Sequence, residues 1–155
     1  MASEARDHVL ISTLLRVPLQ FVVSELFRKL KAAGFDDLTA AHLVVFQYLP
    51  PRGARLTDLA EAAHITKQSM GYLIDHLEAR GYVERQPERT DRRSKTIILT
   101  DRGRALNRTT RQVIRAVEAD WEKQLGAERM AALRSALQDL NAYLQASTQD
   151  QKPKL

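Results

Sequence analysis

Apolar side chains recur at steps of three to five through residues 9–31: Leu10, Leu14, Val17, Phe21, Val22, Leu26 and Leu30. That spacing lines one side of a helix. Pro18 falls inside it and is expected to kink or break it, because the ring removes a backbone donor and crowds the preceding turn. Gly34 stops it. Thr39 is placed to cap a second helix over residues 40–49, with Leu43, Val44 and Phe46 apolar, and Pro50-Pro51-Arg52-Gly53 ends it. Thr57 is the expected cap of a short helix over 58–63, with His64 as the turn. Thr66 then caps a helix running to about Arg80, closed by Gly81. On that helix Met70, Leu73, Ile74 and Leu77 fall at i, i+3, i+4 and i+7, a single apolar stripe facing a core. Gln68, Tyr72 and Asp75 occupy the opposite face.

The period then changes. Residues 82–85 and 96–99 alternate as strands do, and the nonapeptide PERTDRRSK between them carries three arginines and a lysine against one glutamate and one aspartate. It is expected to be the tip of a β-hairpin. Thr100 caps a long helix over about 101–125, with Leu106, Val113, Val117 and Trp121 on one side, and Gly126 breaks it. In the last helix, 127 to about 145, Met130, Leu133, Leu137, Leu140 and Leu144 follow steps of three and four in alternation, a coiled-coil-like seam. The polar tail from Ser147 is expected to fray. Trp121 and the leucine seam read as core or as contact with a second chain.

A short helix, a tight turn, an amphipathic helix and a hairpin with a basic tip form a winged helix-turn-helix. An α-helix fits the major groove of B-DNA with its N-terminal residues at the base edges, and a hairpin beside it can set arginines in the adjacent minor groove. The candidate DNA contacts are therefore Thr66, Lys67, Gln68, Ser69 and Tyr72 on the recognition helix, and Arg85, Arg89, Arg92, Arg93 and Lys95 on the wing. Lysine at a helix start opposes the macrodipole, which a nearby phosphate would relieve. Gln68 can pair with adenine through two hydrogen bonds. Gly71 costs roughly 1 kcal/mol against alanine in a helix and would let the backbone approach DNA closely. Asp75, a carboxylate on that face, is expected to pair with a wing arginine and fix the wing's angle.

The segments LTDLAEAAHITKQSMGYLIDHLEARGYVER and DRRSKTIILTDRGRAL resemble the MarR family of bacterial transcriptional regulators. The most specific part is the wing's Asp91-x-Arg93, followed by strand, Leu99-Thr100 and Arg102-Gly103, and Asp91 takes a wing-positioning role by that resemblance. The likeness covers nearly the whole chain. It implies a homodimer with intertwined terminal helices, two winged domains on an inverted repeat of double-stranded DNA, and release by a small, often aromatic or phenolic, effector. Two positions depart from the family pattern. His64 stands where glycine is frequent, at a turn that can require φ > 0. Tyr72 stands where arginine is frequent, and offers a hydroxyl to phosphate or a ring to a thymine methyl.

Composition narrows the alternatives. The 155 residues are 44% hydrophobic and 28% charged with net charge +5, which suits one soluble domain with extended helices and leans toward polyanionic partners. There is no cysteine, so thiolate metal sites, disulfides and thiol switches are excluded. No apolar run nears a bilayer span, and a cytoplasmic location is expected. His8, His42, His64 and His76 lie on different elements; surface or turn positions are expected, with no metal site. No phosphate-cradling glycine loop, nucleophile elbow or HExxH is present, so no catalytic residue and no cofactor is assigned. Asp36-Asp37 reads as a helix cap.

The fold expected is mostly α with a small β-wing: a winged helix-turn-helix DNA-binding domain plus a helical dimerisation region from both termini. Its parts are residues 1–35 and 101–147 for dimerisation, 36–100 for the winged domain, and 148–155 as tail. An effector pocket is expected where dimer helices meet the winged domain, lined by Leu14, Val17, Phe21, His42, Phe46, Arg104 and Arg108. The functional expectation is a DNA-binding regulator, a repressor acting as a homodimer on a near-palindromic operator. The alternatives are a winged-helix protein-interaction module without DNA binding and an enzyme with an unrecognised site.

Overall fold

The computed structural model describes residues 9–87 and 95–150, the last three as backbone only. Nine elements follow one another: α1 (Ile11–Ala32), α2 (Ala40–Tyr48), β1 (Ala54–Arg55), α3 (Leu56–Ala62), α4 (Lys67–Ala79), β2 (Val83–Pro87), β3 (Lys95–Leu99), α5 (Asp101–Leu125) and α6 (Ala127–Asp150). They form two compact units, one ending at Ile114 and one beginning at Arg115.

In the first unit the strands lie in the order β1-β3-β2, all antiparallel. The β2–β3 hairpin runs in register from Val83↔Leu99 to Pro87↔Lys95, so both ends of the basic nonapeptide are already strand. β1 adds a third strand that alternation could not reveal, since it is two residues long: Ala54 pairs with Ile97 and Arg55 with Thr96. Starting a helix directly from that strand makes Arg55, not Thr57, the residue preceding the first turn of α3.

The core gathers Leu26 and Leu30 of α1, Val45 and Phe46 of α2, Leu59 of α3, Met70, Ile74 and Leu77 of α4, Tyr82, Ile97 of β3 and Leu106 of α5. Each fully buried aliphatic side chain here contributes about 1.5–3 kcal/mol from burial. Because Leu106 and Val113 pack into this core, the first half of α5 belongs to this unit, past the boundary expected at residue 100. The close approach is fixed at Gly103, where a Cβ would lie 2.0 Å from the Tyr82 carbonyl oxygen. Thr100 locks the same corner: its Oγ1 accepts the Gly103 N–H at 3.1 Å and stands 2.5 Å from the Gly81 carbonyl oxygen.

α1 runs through Pro18 without a break. The turn that proline disrupts lies in the exposed N-terminal half of the helix, with Leu14 and Val17 more than half exposed, while the buried anchors Leu26 and Leu30 come later. In the second unit Val117 and Met130 are buried, and Arg134 of α6 donates to Glu118 of α5 at 2.9 Å. α6 extends to Asp150, beyond the fraying point expected at Ser147. Leu133, Leu140, Tyr143 and Leu144 are exposed on it. Among the described residues no helix is long and apolar enough to cross a membrane.

Candidate nucleic-acid interface

α3, the turn and α4 form the helix-turn-helix. His64 adopts φ +54°, the left-handed conformation the turn demands, and the Ile65 N–H then reaches back to the Ala60 carbonyl at 3.1 Å. Thr66 caps α4: its Oγ1 accepts the Ser69 N–H at 3.0 Å and stands 2.8 Å from the Ser69 hydroxyl. Beyond the cap the first turns present Lys67, Gln68, Ser69 and Tyr72 to solvent. Gln68 Nε2 donates to the Tyr72 hydroxyl at 3.3 Å, and the Tyr72 side chain is otherwise open, 67% exposed. A Cβ on Gly71 would meet nothing within 4 Å, so packing within the protein does not require glycine there.

The other end of α4 is held. Arg85 on β2 donates one guanidinium nitrogen to Asp75 at 2.6 Å and the other to Glu78, whose second oxygen takes the Arg85 backbone N–H at 3.0 Å. Burial works against the Arg85 charge, but the two carboxylates outweigh it and raise its pKa. The stem arginine is thus engaged in fastening the hairpin to α4. Asp37, expected to cap a helix, has another use: it accepts from the Tyr82 hydroxyl at 2.5 Å and from Arg102 at 3.3 Å, with Arg80 Nε at 3.8 Å. Arg102 lies over the Tyr82 ring at 4.5 Å. Burial pushes the Asp37 carboxyl up, yet Tyr82 and the two arginines hold it below the ordinary value.

The expectation of a surface or turn position fails for His42, and His76, half-buried, lies against it. His42 is buried, and its ring stacks on that of His76 with centroids 4.0 Å apart and planes 19° apart. The pair escaped sequence reading because its members lie on α2 and α4, with no shared periodicity to join them. His64 is exposed at the turn; His8 lies outside the described residues. No group of three or more potential metal ligands occurs among the described residues.

A depression of about 380 Å³ unites Arg55, Leu56 and Thr57 with Lys67, Arg85, Lys95 and Ile97. Four cations from β1, α4, β2 and β3 therefore surround one concavity. Arg55 was missed by sequence reading; its only signal is its place just before α3. Arg89, Asp91, Arg92 and Arg93 lie outside the described residues.

The expected effector residues do not come together. Arg104 and Arg108 line a cavity of about 270 Å³ with Asn107, Arg111, Leu49, Pro51 and Leu99. Leu14, Val17 and Phe21 are exposed on α1, and His42 and Phe46 are buried; none of the five lines that cavity. Arg104 is partly spent on the Asp101 carboxylate at 2.7 Å and the Leu99 carbonyl.

Residues 36–94 match the model of the MarR family. The fold is similar to Streptococcus pneumoniae FabT, solved in complex with DNA, at 20% identity and TM-score 0.75, over 88% of this chain and 96% of that one. It is similar to the transcriptional repressor CouR from Rhodococcus jostii, solved on a 23-mer duplex, at 24% identity and TM-score 0.66, over 91% and 97%. A Mycobacterium tuberculosis MarR family protein in complex with p-aminosalicylic acid is 28% identical with TM-score 0.62, over 86% and 99%. The family match falls on the helix-turn-helix and the strand that follows it, and the likenesses in fold to solved MarR family proteins extend over most of the chain.

Proposed function

We propose that this protein is a sequence-specific DNA-binding regulator, a repressor acting in the cytoplasm as a homodimer on a near-palindromic operator. The observation that carries the reading is the front of α4. A capped helix start shows Lys67, Gln68, Ser69 and Tyr72 to solvent beside a concavity ringed by Arg55, Lys67, Arg85 and Lys95. Helix N–H groups and cations favour phosphate, while Gln68 and Tyr72 reach base edges. The open space at Gly71 lets the backbone come close. Arg89, Arg92 and Arg93 add the minor-groove contacts of the wing, and Asp75 and Asp91 set its angle. FabT and CouR, each solved on DNA, support the reading by fold.

Residues 1–35 and 101–147 supply the dimerisation region in this reading. Leu10, Ile11, Leu14, Val17, Leu19 and Phe21 of the N-terminal segment and Leu133, Leu140 and Leu144 of α6 are exposed, more apolar surface than a monomer keeps in water. A second copy of the chain covers it. A small aromatic or acidic effector occupies the cavity at Arg104, Asn107, Arg108 and Arg111, its acid on the arginines and its ring against Leu49, Pro51 and Leu99. The relative solved with p-aminosalicylic acid supports that ligand class.

The test is binding to mixed-sequence duplex DNA across a salt series. Each phosphate neutralised contributes about −0.9 to the log–log slope, so a steep loss of affinity with salt is expected. No binding at low salt would leave a protein-interaction module as the better account.

A further inference from the structure

His42 is the third residue of α2, and its Nδ1 accepts the backbone N–H of Thr39, the residue before the helix, at 2.9 Å. This is the reciprocal half of a capping box, a place usually held by glutamate or glutamine. A backbone amide can only donate, so Nδ1 carries no proton and His42 is neutral with its hydrogen on Nε2. The Thr39 hydroxyl stands 3.0 Å from the same nitrogen. On the other side of the ring lies His76 of α4, stacked at 4.0 Å. His76 Nε2 faces the Asp37 carbonyl oxygen at 3.4 Å, and the carbonyl of His76 accepts from Arg80 at 3.4 Å. The charged and titratable groups around His42 are thus His76 and Arg80 from α4 and Asp37 from the loop before α2. The Asp37 carboxylate is already shared among Tyr82, Arg102 and Arg80. Burial first, then His76 and Arg80, push the His42 pKa below that of a free histidine; Asp37 opposes them and loses.

A proton on Nδ1 would set two N–H groups against each other, remove the cap of α2, and place a cation against a stacked imidazole and an arginine. Among the described residues the carboxylate that faces this charge is Asp37, and it is already shared among Tyr82, Arg102 and Arg80. The cost falls on the contact that seats the rear of α4 on α2.

We propose that the His42–His76 stack is an acid-labile joint between α2 and α4: protonation of His42 uncaps α2, parts the rings and shifts α4, so that operator affinity falls on acidification. This inference rests on the DNA-binding reading above. Its direction is opposite to the ordinary behaviour of a basic protein, which gains positive charge and binds polyanions more tightly as pH falls.

The experiment uses the full chain and a duplex selected from a random-sequence pool by this protein at pH 7.5. Affinity is measured at pH 7.5 and 5.5 at one ionic strength, for wild type and for His42→Gln, whose amide oxygen keeps the cap and does not titrate. Wild type should lose affinity on the order of tenfold at pH 5.5, a common size of coupling, and His42→Gln should lose none. Thermal unfolding gives a DNA-independent arm. The folded-state pKa of His42 is depressed, so the unfolded chain takes up the proton first, and stability should fall as pH drops below about 6.5. That fall should be smaller in His42→Gln. Should the glutamine variant fold poorly, nitrogen-15 NMR of wild type decides: the Thr39 amide must shift in step with protonation of His42. Equal acid losses in the two proteins, or protonation of His42 with an unmoved Thr39 amide, would overturn the joint. Failure to select any duplex at pH 7.5 would sink the DNA-binding reading instead, and leaves the unfolding arm to judge the joint.

Discussion

The two ends of α4 are built for different work. Its first turns show Lys67, Gln68, Ser69 and Tyr72 to water, and the contacts among them are short-range ones on the helix itself. Its last turns are fastened on three sides: Asp75 and Glu78 to Arg85 of β2, His76 to His42 of α2, and Arg80 toward Asp37. Beneath both, Met70, Ile74 and Leu77 are fully buried. A helix arranged so can offer one end to a partner while the other end sets its angle, since contact energy at the front is not already committed inside the protein. The lesson is that polar residues on one helix divide by whether their partners are inside the molecule. Substitutions at the rear should register in folding, and substitutions at the front in binding.

The strongest way to break that division is under the helix. Ile74→Ala leaves a cavity below the rear half and should destabilise the fold by about 2–5 kcal/mol, measured by denaturant unfolding. DNA affinity should fall only in proportion to the unfolded fraction. An unchanged unfolding midpoint with lost DNA binding would reverse the roles assigned to the two faces.

The wing comes next. Arg92→Ala and Arg93→Ala should each weaken operator binding by about 1–3 kcal/mol in titrations at fixed salt, with the melting temperature unmoved. Arg85, though on the same hairpin, belongs with the rear of α4 by its partners Asp75 and Glu78. Arg85→Ala should therefore lower the melting temperature, which neither tip variant does. A tip variant that melts as early as Arg85→Ala would erase the distinction.

Much of the front of α4 was legible in the sequence, because it is written in local code. An apolar stripe at helical spacing marks the buried face and Thr66 marks the start, while the left-handed turn at His64 is expected only through the family resemblance. The rear was not. Tyr82 and Asp37 meet across 45 residues and Arg102 and Asp37 across 65, and no period in a single sequence announces a polar contact of that range. Asp37 therefore looked like a cap and His42 like a pocket residue. β1 was missed because two residues cannot show alternation, although it is β1 that brings Arg55 to the basic depression.

Thr66 tests the boundary itself, since it is both cap and front. Thr66→Ala removes the acceptor for the Ser69 N–H and should cost about 1 kcal/mol of stability, read by thermal unfolding. DNA affinity should drop by more than that stability loss explains, because the displaced first turn carries Lys67 and Gln68. If the affinity loss merely tracks the unfolded fraction, the first turn does not touch DNA.

The smallest effect is the sharpest, because its two signs differ. Gly71 sits in the interior of α4, where glycine is less favourable than alanine by about 0.8–1 kcal/mol. The space where a Cβ would go is empty of protein atoms within 4 Å, and the residue has no positive φ to protect. In the free protein Gly71→Ala therefore meets no clash and should raise stability by roughly 0.5–1 kcal/mol. On DNA the same methyl group stands on the face where Gln68 and Tyr72 project, one turn from the cap, and would hold the helix backbone away from the groove. Operator affinity should fall while the melting temperature rises. A glycine kept only through indifference would give the stability gain with unchanged affinity, and a glycine needed for folding would give a loss of both. Only opposite signs, measured on one preparation by thermal unfolding and DNA titration, fit a front end whose packing partner is outside the protein.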